Sequence, residues 1–211
     1  MIPPFPEVDQ LLKKYETEPE HVFHVSFLTL QLFDQLSLWH QLTDRDRQLL
    51  HAAALLHDIG WSQTADGKGH HKESLRLIDQ FTWSSISFEE KEVVAQTARY
   101  HRKSIPSPHH ERFTALPPSE QLRVEKLAAL LRIGDALDRT HRQLIQQVQM
   151  EIHDQSWHFL LLAPSKIDAE MTMAENKSNL LQKLSMKRLF FRPHHPEIGV
   201  LFFVFSAFFC G

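Results

Sequence analysis

The sequence predicts a mainly α fold, a helical bundle carrying a small C-terminal ββαβ appendage. Through the first two thirds of the chain apolar residues recur at i, i+3/i+4 spacing, and helix-start signals stand ahead of those runs. After Asp138 the pattern changes to strand-like alternation. The 211 residues can bury a sizeable core. The expected boundaries are 1–142 for the helical domain, 143–192 for the appendage packed on it, and 193–211 for an atypical apolar tail.

Pro19 suits the first position of a helix, where its missing N–H costs nothing, and Val22, Val25, Leu28, Leu32 and Leu36 follow at helical spacing. Thr43 with Asp46 has capping-box spacing ahead of the apolar run 49–56. Ser74 and Leu75 lie on a helix reaching about Gln80, and Ser87 with Glu90 caps another through Val93, Val94, Thr97, Ala98 and His101. Pro106, Pro108, Pro117 and Pro118 mark a loop, after which Ser119 is placed to cap a long helix carrying Leu127, Leu130, Leu131 and Asp135. Val148, Met150 and Ile152 alternate, Asp154-Gln155 forms a turn, and 157–162 is a second strand. A helix over 166–184 and a strand over 186–191 complete the appendage. The apolar run 198–210 falls short of the roughly 20 residues that span a bilayer. Its Phe and Val content suits a strand or an insertion against the domain.

A hydrophobic share of 42% and a charged share of 23% are those of a globular protein. The net charge of -3 provides no electrostatic reason to expect nucleic acid or an anionic membrane as partner. With 15 His and a pI near 6.6, the charge changes sharply just below neutrality. Cys210 is the only cysteine, which excludes internal disulfides and suits a reducing cytoplasm. No secretory pattern opens the chain, so a cytoplasmic location is expected.

His57-Asp58 closes the apolar run 52–56 and is followed by Ile59-Gly60. A carboxylate and an imidazole where a buried helix stops must be paired or bound to metal. Neighbouring helical residues point about 100° apart, so the two cannot form a simple pincer. At a frayed helix end the backbone after Leu56 can turn, with Gly60 accepting the turn, and Asp58 can bridge two ions while His57 serves one. The bland alternative is a helix-terminal histidine beside a capping aspartate. His21, His24, His70, His71, His101 and Asp135 are further candidates. Arg102-Lys103 after His101 match a helix dipole and also form a basic edge for phosphate oxygens. Asp138 reads as the partner of Arg139 or Arg142. Imidazole and carboxylate without thiolate favour one or two divalent ions of Mn, Fe, Co, Ni or Mg over structural Zn.

The ordered set His21, His57-Asp58, His70, His101, Asp135 resembles the binuclear form of the HD-domain superfamily of metal-dependent phosphohydrolases. The words AALLHDIG, GHHKESLRLI, ARYHRKSIP and LAALLRIGDALDRTHRQL are similar to the C-terminal HD module of the Ppx/GppA family of exopolyphosphatases and guanosine pentaphosphate phosphohydrolases. That resemblance runs from about Pro19 to about Arg192. It implies that His21, His57, Asp58 and Asp135 hold one ion, and Asp58, His70 and His101 the second. His70 is preferred to His71 because it makes the superfamily's H-x-x-x-S spacing with Ser74, and His24 stands behind the ligands or at the surface. Glu73, where the family word often has histidine, is a tolerated variation.

The implied reaction is hydrolysis of a phosphate ester or anhydride of a nucleotide or small phosphorylated metabolite by a metal-activated hydroxide. Asp58, Arg102 and Lys103 are the catalytic candidates, and Lys72, Arg102, Lys103 and Arg139 the substrate-binding ones. Family members carry an actin-like phosphatase pair of domains, rich in Gly phosphate loops, ahead of this module. Here the chain opens at Met1-Ile2-Pro3-Pro4 with 6 Gly in all, so only what the module itself implies carries over. The alternative is a non-catalytic module that binds polyphosphate or ppGpp, or docks to a partner phosphatase. The expected partner is a small phosphorylated substrate, with a homodimer left open and neither nucleic acid nor a membrane span expected.

Overall fold

A computed structural model describes residues 2–194. The bundle comprises α1 (Pro6–Tyr15), α2 (Pro19–Gln35), α3 (Ser37–His40), α4 (Asp44–Leu56), a 3-10 turn (Ile59–Gln63), α5 (His70–Gln80), α6 (Phe88–Arg99), α7 (Glu111–Thr114) and α8 (Pro118–Ala136). Then come β1 (Gln147–Ile152), β2 (Ser156–Leu162), α9 (Asp168–Lys177), α10 (Asn179–Ser185) and β3 (Arg188–His194). The chain is mainly α with a small C-terminal sheet, as the periodicity predicts. No helix among the described residues is long and apolar enough to cross a membrane.

Both predicted capping boxes form. Thr43 Oγ1 accepts from the Asp46 N–H at 3.3 Å while Asp46 accepts from the Thr43 N–H at 2.8 Å, and Ser87 and Glu90 repeat the exchange. The start of α8 differs from expectation: Pro118 opens the helix and Pro117 holds the cap position, so Ser119 lies inside the first turn. The helix expected over 166–184 is two, broken at Ser178, whose hydroxyl bonds back to the Glu175 carbonyl at 2.7 Å. Met186 ends α10 in the left-handed region (φ 58°), so β3 starts at Arg188 rather than at 186 and continues to His194, past the expected end of the appendage. The apolar run 198–210 lies outside the described residues.

In the sheet, of order β1-β2-β3, β2 is antiparallel to β1 and parallel to β3. Trp157, Phe159 and Leu161 alternate inward on β2 and join Val148, Leu189 and Phe191 in the same apolar core as the helices. The outer edge of β1 is covered by side chains of α2. Gln31 accepts from the Val148 N–H at 2.9 Å, while Gln35 donates to the Val148 carbonyl at 2.8 Å and accepts from the Met150 N–H at 2.9 Å.

Two glycines set the approach of elements that carry polar residues. A Cβ at Gly60 would lie 2.2 Å from the His70 carbonyl and 2.5 Å from the Ser74 nitrogen, so glycine is needed where the 3-10 turn presses on α5. Close approach, not the turn conformation expected from sequence, is its reason. A Cβ at Gly134 would meet Thr29 Oγ1 at 2.0 Å, so glycine lets α8 cross α2 with Asp135 beside His21.

Candidate metal centre

Three of the candidate histidines use one local device. His57, His70 and His101 each place Nδ1 2.7–2.8 Å from the carbonyl three residues earlier, those of Ala54, Gly67 and Ala98. A carbonyl only accepts, so each Nδ1 carries a proton, and in the neutral tautomer this fixes, Nε2 keeps a lone pair. His21, in the first turn of α2, does the same with a carboxylate, its Nδ1 lying 2.8 Å from Asp138 Oδ2. Fixing a ring through its second nitrogen is how ligand histidines are oriented.

The four Nε2 atoms converge on two carboxylates. His21 Nε2 lies 3.8 Å from both Asp58 Oδ2 and Asp135 Oδ1, and His57 Nε2 lies 3.5 Å and 3.9 Å from the same two oxygens. On the other side, Asp58 Oδ1 is 3.0 Å from His70 Nε2 and 3.4 Å from His101 Nε2, and those two nitrogens are 3.3 Å apart. All of these atoms are acceptors in the neutral rings, and the buried His21 and His57 Nε2 atoms have no hydrogen-bond partner among the described residues. Lone pairs packed this closely repel one another unless a proton or a metal cation lies among them. The residues therefore fit divalent metal, and His21, His57 and Asp135, or His57, Asp58 and His101, bring one donor atom each within 4.8 Å of one another.

Asp58 reaches both sides because the backbone leaves the helix there. His57 keeps helical angles, whereas Asp58 takes φ -110°, ψ 0° and begins the 3-10 turn. Ser74 locks the departure, donating to the His57 carbonyl at 2.7 Å and accepting from the Gly60 N–H at 2.9 Å. This is the physical content of the four-residue spacing from His70 to Ser74.

Charge follows from burial and neighbours. Burial alone would raise Asp58, but electrostatic attraction to His57, with the His70 contact and His101 behind it, outweighs burial and holds the carboxyl well below the usual range. Burial, reinforced by His57, pushes His101 well below an ordinary histidine, favouring the neutral ligand form. Burial likewise opposes ionisation of Asp135, yet contact with the Lys177 ammonium, with His101 and His57 behind it, keeps it ionised.

The centre opens into a cavity of about 270 Å³ whose lining includes Asp58, His70, His101, Asp135 and the cations Arg102, Lys103, Arg139 and Lys177. Arg102 Nη1 lies 3.1 Å from His70 Nε2. Lys72 is exposed and outside this lining, because two residues beyond His70 a helix has turned its side chain away. His71 lies outside the convergent set too; burial, with the neighbouring His70 and Arg102, lowers it to about 4. His24, half-buried one turn beyond His21, is likewise apart from the converging atoms.

Sequence reasoning missed three contributors. Asp138 pairs neither Arg139 nor Arg142; it accepts from His21 and from the Gln143 N–H at 2.8 Å. An aspartate three residues after a candidate ligand was a usable signal, since ligand histidines need such an acceptor. His141 stacks on His21 at 3.7 Å between ring centres, and its Nδ1 lies 2.5 Å from Glu18 Oε2. Lys177 arrives from the appendage, 42 residues beyond Asp135, with no local pattern to announce it.

Fold and site together define a helical-bundle protein with a buried histidine–aspartate centre, able to hold a metal ion, beneath a basic rim. A family model for the Ppx/GppA phosphatase, domain III, matches residues 6–183, and the chain belongs to that family. The match starts earlier than the expected Pro19, taking in α1, and ends within α10.

Proposed function

We propose that the chain is a metal-dependent phosphohydrolase of the HD type, hydrolysing a phosphate ester or anhydride of a nucleotide or small phosphorylated metabolite. One observation carries the reading: the Nε2 atoms of four histidines converge on the carboxylates of Asp58 and Asp135, and four of these six residues (Asp58, His70, His101 and Asp135) line a cavity whose rim is cationic. In this reading His21, His57, Asp58 and Asp135 would hold one divalent ion, and Asp58, His70 and His101 a second. Mn, Fe, Co, Ni or Mg suits such donors, and ions of this kind supply Lewis acidity and an acidified water. The remaining work falls to the chain itself. Nδ1 bonds to Ala54, Gly67, Ala98 and Asp138 keep the imidazoles in the ligand tautomer. Arg102, Lys103 and Arg139 bind phosphate oxygens and neutralise their charge. Trp61, stacked on His70 at 4.6 Å between ring centres, closes one wall of the cavity against water.

The test is metal analysis of natively purified protein, paired with a phosphate-release screen across phosphorylated metabolites. The expected result is bound divalent metal and phosphate release that a chelator abolishes. Metal-loaded protein that releases no phosphate from any compound, yet binds polyphosphate or ppGpp tightly, would replace this reading with that of a non-catalytic binding module.

A further inference from the structure

The appendage reaches the metal centre through one helix. Met173 and Lys177, one turn apart on α9, line the cavity beside Asp58 and Asp135. The Lys177 ammonium contacts Asp135 Oδ2, while Asp135 Oδ1 faces His21 and His57. That carboxylate is thus shared between the convergent donors and the lysine. Asp135 engages one of three ammonium hydrogens, and no other hydrogen-bond partner of Lys177 Nζ occurs among the described residues. Its side chain is 16% exposed, so the ammonium is largely withdrawn from bulk water. The backbone is held as well. Arg132, 3% exposed and one turn before Asp135 on α8, donates to the carbonyl of Lys177 at 3.4 Å and to that of Tyr100 at 3.0 Å. A buried guanidinium capping the ends of α9 and α6 fixes the segments carrying Lys177 and His101 against α8.

Arg102 stands at the opposite side of the centre, against His70. The two cations therefore flank the acceptor cluster, one on each of its halves. A group seated over that cluster with several anionic oxygens would meet both.

We infer that Lys177 is a direct ligand of the reacting phosphoryl group, holding a non-bridging oxygen opposite Arg102, so that the appendage supplies part of the active site. This rests on the phosphohydrolase reading above.

Inorganic orthophosphate, titrated calorimetrically into manganese-loaded full-length protein, is the probe. Lys177→Met should weaken its binding at least ~10-fold, as expected for a charge-assisted contact in a shielded site, and Lys177→Arg should restore most of the loss. Metal content, measured on the same samples, should stay at the wild-type level in both variants. With p-nitrophenyl phosphate as substrate, Lys177→Met should lower kcat/KM in parallel. Unchanged orthophosphate affinity in Lys177→Met would overturn the inference. So would loss of metal from that variant, which would make Lys177 a positioning residue for Asp135. Should Lys177→Met fail to fold, Lys177→Gln carries the same comparison. Wild-type protein that takes up neither metal nor orthophosphate would remove the phosphohydrolase reading itself and this inference with it, an outcome separate from a Lys177 variant that behaves as wild type.

Discussion

Two buried carboxylates, Glu7 and Asp58, are treated in opposite ways. Glu7 in α1 accepts from the N–H and hydroxyl of both Ser84 and Ser85, at 2.5–3.1 Å, and so fastens α1 to the loop before α6. Burial opposes its ionisation, but those bonds, led by Ser85, outweigh it and bring Glu7 down to about 2 from the usual 4.5. Asp58 is as deeply placed, yet its nearest polar neighbours are lone-pair nitrogens. The chain provides Glu7 with its donors, whereas Asp58 Oδ1 has no hydrogen-bond donor among the described residues.

The largest effect expected from this contrast comes at Asp58, the carboxylate common to both halves of the centre. Asp58→Ala should empty both metal sites and lower phosphate release by more than the ~100-fold typical of losing an outer partner. Metal content equal to wild type in that variant would break the contrast at its root. A step smaller is Asp138→Asn, which removes the anionic acceptor that orients His21 while leaving every proposed ligand in place. Metal affinity, followed by competition with a chromophoric chelator, should fall ~10–100-fold.

Glu7→Gln sharpens the comparison from the other side. It should cost about 1–3 kcal/mol of stability in denaturant melts, with metal content untouched. The pH dependence follows in sign. A carboxyl depressed from 4.5 to about 2 contributes its full stability above pH 4.5 and loses it as pH falls toward 2. Acid melts of metal-free protein should therefore be flatter between those values in Glu7→Gln. A variant as steep as wild type there would remove Glu7 as a structural anchor. The smallest effect belongs to His71, with a pKa near 4 and outside the converging set. His71→Ala should leave metal occupancy near the wild-type value, whereas His70→Ala should lower it by one site, and atomic absorption on the pair decides between them.

Much of this was legible because it is local. Capping boxes span four residues, strand alternation repeats every two, and the His70–Ser74 spacing is about one helical turn, so each is written in nearby letters. The broken helix at Ser178 was harder, since residues on both sides of it keep helical angles and only one junction differs. Asp138 serving His21 was read as an arginine partner because arginines are its sequence neighbours, while its real partner lies 117 positions away. Lys177 posed the same difficulty: packing of α9 on α8, not any word in the sequence, brings it to Asp135.

The two glutamines of α2 that face β1 bear on self-association. A strand edge with free N–H and C=O groups is the ordinary place for two copies of a chain to join their sheets. Here Gln31 and Gln35 already satisfy both backbone groups of Val148 and the N–H of Met150. A second copy adding its strand to β1 would have to evict both side chains from a helix that also carries His21. At Val148 and Met150 that edge is therefore already occupied, and a pairing through it would cost those three bonds.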